Sequence, residues 1–201
     1  RGMEMSANKS LLGIPLDVWG KVSILLVCTF LGCTESEGPK ATQIPSTVSV
    51  FPEPDLSNLG EAIQNQIKAE HLIIRRFESE KERDVEKLAG VYGRLAKKYH
   101  AFDFFPQAQF FYQKAIQLEP ANFTHYENTG ICLYSAKNFT DCIYYFDKAA
   151  GFKENNTGKS QFYKGLSLMN TGKKEQACRA LNAAKAKGYS EADQFIKTNC
   201  N

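Results

Sequence analysis

Residues 89–122, AGVYGRLAKKYHAFDFFPQAQFFYQKAIQLEPAN, carry two stripes of apolar residues, each at the spacing of an α-helical face. The first stripe comprises Tyr92, Leu95, Ala96 and Tyr99, and the second comprises Ala108, Phe111, Tyr112, Ala115 and Ile116. Pro106 suits the first turn of the second helix, where its missing N–H has no helical partner, and Pro120 ends that helix. The stretch predicts two helices whose apolar flanks need neighbouring helices to cover them.

The same pattern recurs twice downstream, after steps of 34 and 35 residues. The second copy aligns Tyr126, Gly130, Leu133, Cys142, Phe146 and Ala149 with the first, and the third aligns Gly165, Leu168, Ala177, Leu181 and Ala184. A helix–turn–helix unit of this period, with small and aromatic residues at these offsets, resembles the tetratricopeptide repeat (TPR). The resemblance extends over residues 89–189. It departs at Thr129, Glu154 and Gln161, where a larger apolar residue, a proline and an aromatic residue are usual.

The resemblance implies an all-α fold, a right-handed superhelical solenoid of antiparallel helix pairs with about three repeats. Those repeats are expected to occupy residues 89–122, 123–157 and 158–189. Upstream, residues 58–80 carry apolar residues at helical spacing and predict an N-terminal packing helix. Asn58 and Glu61 predict a capping box at its start.

Single residues predict two further helix ends. Asp84 is expected to cap the helix that enters the first repeat, and Gly188 to close the last repeat helix. Residues 190–201 predict a C-terminal capping helix, which Ser190 and Asp193 are expected to start as a capping pair. Such a helix covers the open flank of a terminal repeat.

The N-terminal residues predict export. Residues 22–32 form an apolar run of 11 residues, too short to span about 30 Å of hydrocarbon as a helix, and its length suits a signal peptide. The run ends in Leu31-Gly32-Cys33, which is similar to the lipobox of bacterial lipoproteins. That similarity implies a signal peptide over residues 1–32 and lipidation of Cys33. An ordinary cleaved signal peptide and an uncleaved short anchor are the alternatives.

Residues 33–57 are rich in Pro, Ser, Thr and Glu and predict a flexible linker between the lipid anchor and the repeats. The alternative is an arm that packs on the first helix through Val48, Val50 and Phe51. The lipoprotein resemblance implies a lipid-anchored protein of the cell envelope, in the outer membrane or facing the periplasm.

Composition argues against several functions. The chain has 201 residues, of which 43% are hydrophobic and 23% charged, and its net charge of +3 is too small to favour nucleic acid. The three histidines show no paired helical spacing, and there is no CxxC motif, nucleophile motif or glycine-rich phosphate loop. We therefore expect no metal, no cofactor, no small-molecule substrate and no enzyme activity.

Four cysteines follow Cys33, an even number that suits an oxidising compartment. They are Cys132, Cys142, Cys178 and Cys200. A disulfide between Cys178 and Cys200 is expected to fasten the capping helix. Cys132 and Cys142 form a possible second pair, and the alternative for Cys142 is a buried apolar position.

In TPR domains the first helix of each pair lines a concave groove, so the resemblance implies a set of peptide-binding residues. They are Arg94, Lys97 and His100 in the first repeat, Glu127, Asn128, Ile131 and Tyr134 in the second, and Lys159, Phe162, Leu166 and Met169 in the third. This groove is predicted to be basic at one end and apolar at the other. It suits a peptide or helix of a protein partner. The alternative for Ile131, Phe162 and Leu166 is packing against adjacent helices.

One specialised activity of the family is not expected. TPR domains that bind a peptide C-terminus use five basic and amide residues, of which only Asn128 and Lys159 match here. Gly93, Lys97 and Tyr163 occupy the other three positions. The sequence thus predicts a membrane-anchored, non-catalytic scaffold for another protein. A structural subunit that self-associates through its convex face or first helix is the alternative.

Overall fold

The structure, a computed structural model, describes residues 54–81 and 84–200. Over these residues the chain forms eight α-helices and no strand. The helices are α1 Glu61–Ser79, α2 Val85–Ala101, α3 Phe105–Leu118, α4 Phe123–Ser135, α5 Phe139–Ala150, α6 Lys159–Asn170, α7 Lys174–Ala186 and α8 Glu191–Asn199. None of the described helices combines the length and the apolar character that a bilayer crossing requires. The predicted signal peptide, Cys33 and the arm residues Val48, Val50 and Phe51 lie outside the described residues.

The helices form a chain of neighbours in which each packs on the next, and the pairs are α2 with α3, α4 with α5 and α6 with α7. The all-α solenoid predicted from the repeats is confirmed. Small residues let the paired helices approach closely: Ala96 and Ala108 are fully buried in the first pair. A Cβ at Gly130 would lie 2.6 Å from the Phe146 ring, and one at Gly165 would lie 2.7 Å from Leu181. The aligned small positions are therefore contact points between helices.

Each first helix of a pair ends in the same turn. Asp103, Lys137 and Gly172 follow α2, α4 and α6, with φ values of 62°, 60° and 75°. In each turn the N–H of the following residue donates to the carbonyl five residues earlier: Phe104 to Tyr99 at 2.9 Å, Asn138 to Leu133 at 2.8 Å and Lys173 to Leu168 at 2.9 Å. These are Schellman turns, which close helices through a residue in left-handed conformation. The repeat is thus preserved in the backbone as well as in the core.

The ends of the helices test the capping predictions. Asp84 accepts a hydrogen bond from the Lys87 N–H at 3.0 Å, which confirms it as the cap of α2. Gly188, at φ 81°, follows α7 in a fourth Schellman turn, as predicted.

Two capping predictions are wrong. The residue that caps α1 is Gly60, without a side-chain bond, because Asn58 lies in a turn closed by the Leu59 N–H and the Leu56 carbonyl at 2.9 Å. The hydroxyl of Ser190 contacts the Glu191 carboxylate, and Asp193 pairs with Lys185 at 2.5 Å. The backbone of Ser190 is already helical, so its side chain cannot adopt cap geometry.

Helix α1 packs on α2 through apolar and polar contacts. Ile67 and Ile74 enter the same core as Tyr92, Leu95 and Tyr99. At the edges of this core, His71 lies 2.9 Å from the Tyr99 hydroxyl, and the Tyr92 hydroxyl donates to Glu78 at 2.5 Å. Helix α1 therefore covers the first repeat, in the role predicted for it.

At the other end, α8 closes the solenoid. The disulfide between Cys178 of α7 and Cys200 holds its end, as predicted. Phe195 of α8 lies over Phe162, with ring centroids 5.4 Å apart. Cys132 and Cys142 are free and buried, so the second pair is not formed. Cys142 lies at a buried small-residue position, which was the alternative to a disulfide for this residue.

Candidate protein-binding groove

The candidate groove is the surface of the three first helices, α2, α4 and α6, which lie side by side. Two hydrogen bonds link their side chains: His100 of α2 to Ser135 of α4 at 3.0 Å, and Ser160 of α6 to Glu127 of α4 at 2.7 Å. The structure therefore brings the predicted groove residues onto neighbouring helices, although which of them contact a ligand stays a prediction.

The predicted basic end is largely neutralised. Arg94 donates two hydrogen bonds to the buried Glu70 of α1, at 3.1 and 3.3 Å, and Lys98 adds a third cationic contact at 3.8 Å. Burial lowers the pKa of His100 below its ordinary value of 6.5, so the imidazole is neutral at pH 7. Lys97 remains exposed. The end predicted to be basic therefore has less free positive charge than expected, because α1 supplies a carboxylate to Arg94 that the spacing of α2 alone does not show.

The prediction that Glu127 is a groove residue is also wrong. Glu127 is buried and receives Lys159 at 3.2 Å and the Ser160 hydroxyl. Ser160 in turn accepts from the Asn155 amide at 2.9 Å. A buried carboxylate held by these partners joins the second repeat to the third and is not available to a ligand. Lys159 is engaged by the same pair.

The residues predicted for the apolar end of the groove differ in their burial. Phe162 is only 6% exposed and packs against Tyr189, with ring centroids 4.9 Å apart. It therefore belongs to the core, and its prediction as a groove residue is wrong. Leu166 and Met169 are half-buried on the edge of that core. Both pack against a core cluster to which α7 and α8 contribute, which could not be derived from α6 alone.

The middle of the groove is aromatic. Tyr134 lies edge-on to Phe139 and to Tyr163, with centroid distances of 5.4 and 5.5 Å. Its ring is half-buried, and burial raises the pKa of its hydroxyl. Ile131 is half-buried beside this cluster. Asn128 is half-buried on the same helix. These residues make the middle of the candidate groove uncharged.

The structure explains why binding of a peptide C-terminus is not expected. Gly93 has no side chain to offer, and a Cβ there would make an ordinary contact with the His125 ring, at 3.6 Å. Lys159 is paired with Glu127, and Tyr163 stacks on Phe146 with centroids 5.8 Å apart. At Gly93, Lys159 and Tyr163 the chain therefore offers no unpaired basic or amide side chain to a terminal carboxylate.

One recess near this surface was not predicted from the sequence. A hollow of about 510 Å³ lies between α1 and α2. Its lining residues are Ile73, Phe77, Glu86, Gly90, Val91 and Arg94, together with Asp84 and Lys87. The one signal in the sequence was Gly90, an unexplained glycine inside a helical pattern.

The two free cysteines lie in the core and contribute to its packing. The thiols of Cys132 and Cys142 are buried, and burial raises the pKa of Cys132 to about 12 and that of Cys142 in the same direction. A thiol with a raised pKa is a poor nucleophile. Across residues 54–81 and 84–200, no group of three or more His, Cys, Asp or Glu side chains is arranged to hold a metal ion.

The described residues define an all-α helical-repeat protein. No protein-family model matches the chain, and no curated protein matches its sequence. Solved structures match its fold. The N-terminal domain of STI-1 from C. elegans is 19% identical, with a TM-score of 0.55 over 60% of this chain and 100% of that one. The TPR2B domain of yeast Sti1, solved as a pHsp70 complex, is 21% identical, with a TM-score of 0.52 over 56% and 95%.

A third match is MamA from MSR-1, which is 19% identical, with a TM-score of 0.54 over 65% of this chain and 70% of that one. These identities are low, so the likeness bears on the fold. The fold is that of TPR domains.

Proposed function

We propose that the chain is a non-catalytic interaction scaffold that binds a peptide or helix of another protein on the α2–α4–α6 surface. The observation that carries the proposal is a set of four half-buried, uncharged side chains on the first helices of two repeats, beside ion pairs that are satisfied internally: Tyr134, Ile131, Leu166 and Met169. An uncharged, partly apolar strip on rigid helices suits a segment with apolar anchors. The yeast Sti1 domain solved with pHsp70 supports this use of the fold.

The test is capture of a partner by photo-crosslinking from the groove. A photoreactive amino acid at Asn128 is expected to crosslink a protein partner in native envelopes, and Tyr134→Ala with Met169→Ala is expected to abolish the crosslink while far-UV circular dichroism is unchanged. Gln117→Ala, an exposed change on α3, is the matched control and is expected to retain it. Equal crosslinking by all three proteins would exclude this groove.

We further propose that the scaffold is attached to a membrane of the cell envelope, in the outer membrane or facing the periplasm, through a lipidated Cys33. The apolar run that ends at Leu31-Gly32-Cys33 supports this proposal. Intact-mass analysis of the mature protein is expected to show an acylated N-terminal Cys33. Because Trp19 is the only tryptophan, the processed protein is also expected to lack indole fluorescence. A mature protein that begins elsewhere without lipid contradicts the anchor.

A second candidate function is self-association as a structural subunit. It is favoured by Leu72 of α1, which is 64% exposed, and by the neighbouring Ile73, which is 38% exposed. Exposed apolar residues on one helix suit a helix–helix interface. A molar mass that rises with concentration, and that Leu72→Gln restores to the monomer value, would support this function. A constant monomer mass would exclude it.

A further inference from the structure

The hollow between α1 and α2 has an apolar floor and a charged rim. Ile73 and Phe77 of α1 and Val91 of α2 form the floor. Its volume of about 510 Å³ is that of a site for a large side chain and the backbone around it. Arg94 belongs both to this lining and to the predicted groove residues, so the hollow continues the α2–α4–α6 surface towards α1.

Gly90 opens the hollow, and the fold does not require a glycine there. A Cβ at Gly90 would meet only the Arg94 guanidinium, at 3.7 Å, which is an ordinary contact. Gly130 and Gly165 differ, because a Cβ at either would collide with a packed side chain. A glycine inside a helix is unfavourable relative to alanine. At Gly90 its effect is to leave room on the outer surface, which permits the close approach of another chain.

The charges around the hollow are of two kinds. Two cations on the rim are engaged, Lys87 with Asp84 at 2.7 Å and Arg94 with Glu70 at 3.1 Å. Glu86 and Lys97 are exposed and take part in no salt bridge among the described residues. The lining of the hollow therefore has one acidic group, Glu86, that a ligand can still pair, and Lys97, about two turns beyond Gly90 on α2, is a basic group outside the lining.

Glu86 and Lys97 lie on the same face of α2 as Gly90 and Gly93. The steps along 86, 90, 93 and 97 are four, three and four residues, the spacing of one helical face. At a rise of 1.5 Å per residue the two charges are about 16 Å apart along the helix. Glu86 therefore lies at the N-terminal end of this face of α2 and Lys97 at its C-terminal end. Gly90, which opens the hollow, lies between them.

We propose that this hollow is the anchor pocket for a segment of a partner protein that carries a basic residue, a bulky apolar residue and an acidic residue in that spatial order. The basic side chain pairs with Glu86, the apolar side chain fills the space over Gly90, and the acidic side chain pairs with Lys97. The charge pattern of α2 sets the direction of the segment. The inference rests on the proposed function and names the chemistry of its ligand.

The probe is a random twelve-residue peptide display library, panned on the immobilised full-length chain. Enriched peptides are expected to share a basic, a bulky apolar and an acidic residue placed to reach Glu86, the hollow and Lys97. A fluorescent synthetic copy is expected to bind at least tenfold more weakly to Gly90→Leu, which fills the hollow. Ala186→Leu adds the same side chain at an exposed position of α7 and is expected to bind normally. Circular dichroism verifies that both variants fold.

The double variant Glu86→Lys with Lys97→Glu tests the direction. It is expected to prefer, by at least tenfold, a peptide whose acidic and basic residues are exchanged. Failure of the library to enrich any such pattern, or equal binding of the peptide to Gly90→Leu and the wild type, overturns the inference. Binding that survives Gly90→Leu but is lost in Tyr134→Ala with Met169→Ala overturns it while leaving the proposed function intact.

A photo-crosslinker at Ile73 identifies the occupant. Crosslinking to the synthetic peptide supports the inference. Crosslinking to a second copy of the chain, or to residues 1–53 of the same chain, shows a different occupant and overturns it.

Discussion

The two ends of the solenoid are closed by different means. At the C-terminal end, α8 covers Phe162, pairs Asp193 with Lys185 and is tied to α7 by the Cys178–Cys200 disulfide. At the N-terminal end, α1 is held on α2 by apolar packing and by hydrogen bonds such as that of His71 to Tyr99. Both ends have aromatic cores, Phe162, Tyr189 and Phe195 at the C-terminal end and Tyr92, Tyr99 and Phe111 at the N-terminal end, but the N-terminal end also has a hollow over Gly90. Space for a ligand is therefore found where the closing helix is attached without a covalent bond.

Removal of the disulfide is the largest change expected at the fastened end. The bond links residues 22 apart, and closing a loop of this length is worth about 3 kcal/mol in the unfolded-chain entropy account. Cys178→Ser with Cys200→Ser is expected to lower the free energy of unfolding by about that amount. Urea unfolding of the oxidised wild type and the variant measures it.

Reductant is the control for this prediction. It is expected to destabilise the wild type and to leave the double variant unchanged, since Cys132 and Cys142 are already free. If the double variant and the oxidised wild type unfold at the same urea concentration, packing of α8 alone fastens this end.

A pair of glycine substitutions tests the contrast in packing. A Cβ at Gly165 would lie 2.7 Å from Leu181, in the core of the third repeat. Overpacking of this kind costs about 1–3 kcal/mol, so Gly165→Ala is expected to destabilise the fold. Gly90→Ala is the matched change in the open hollow and is expected to stabilise the fold by about 1 kcal/mol, the difference in helix propensity. Thermal unfolding measures both, and a loss of stability in Gly90→Ala would contradict an open site.

The core was predictable from the sequence because its positions repeat. Ala96, Gly130 and Gly165 occupy the same offset in three units, and each is a point of close approach between paired helices. Because the same pattern of small and apolar residues recurs in three repeats, each copy supports the assignment of the other two. The ends do not repeat, and there the reasoning from spacing failed: Asn58 and Ser190 fit a capping pattern but lie in turns set by their neighbours.

The candidate site was predictable only in part, for a related reason. The helical phase placed Tyr134 on α4 and Met169 on α6, but it could not show what the neighbouring helices contribute. Glu70 of α1 neutralises Arg94, and Tyr189 covers Phe162. Both corrections arise from contacts between elements distant in sequence, about which the period of a single helix carries no information.

The turns between paired helices offer a smaller effect. The third repeat has Gly172 at the left-handed position of its Schellman turn, whereas the second has Lys137 at φ 60°. A side chain is strained in this conformation, so Lys137→Gly is expected to raise the free energy of unfolding by about 0.5–1 kcal/mol. Gly172→Lys is the reverse control, because a Cβ there meets no atom within 4 Å and adds strain alone. If both changes destabilise the fold, the side chain of Lys137 contributes more than its strain costs.

The smallest effect concerns His100, at the end of the groove near α1. Burial lowers its pKa, and the nearby Asp103 opposes this only in part. The imidazole is expected to titrate below 6.5 in a proton NMR titration of the folded chain. A depressed histidine pKa means that the folded state favours the neutral ring, so its contribution to stability is complete above pH 6.5 and is lost as the pH falls through the folded pKa.

His100→Gln keeps a hydrogen-bonding group near Ser135 and removes the titration. Its unfolding free energy is expected to vary less between pH 7 and pH 5 than that of the wild type. A pKa above 7 would restore a cation to this end of the groove. The last turns of α2 would then carry a second positive charge near Lys97, and a more acidic segment would be the better ligand.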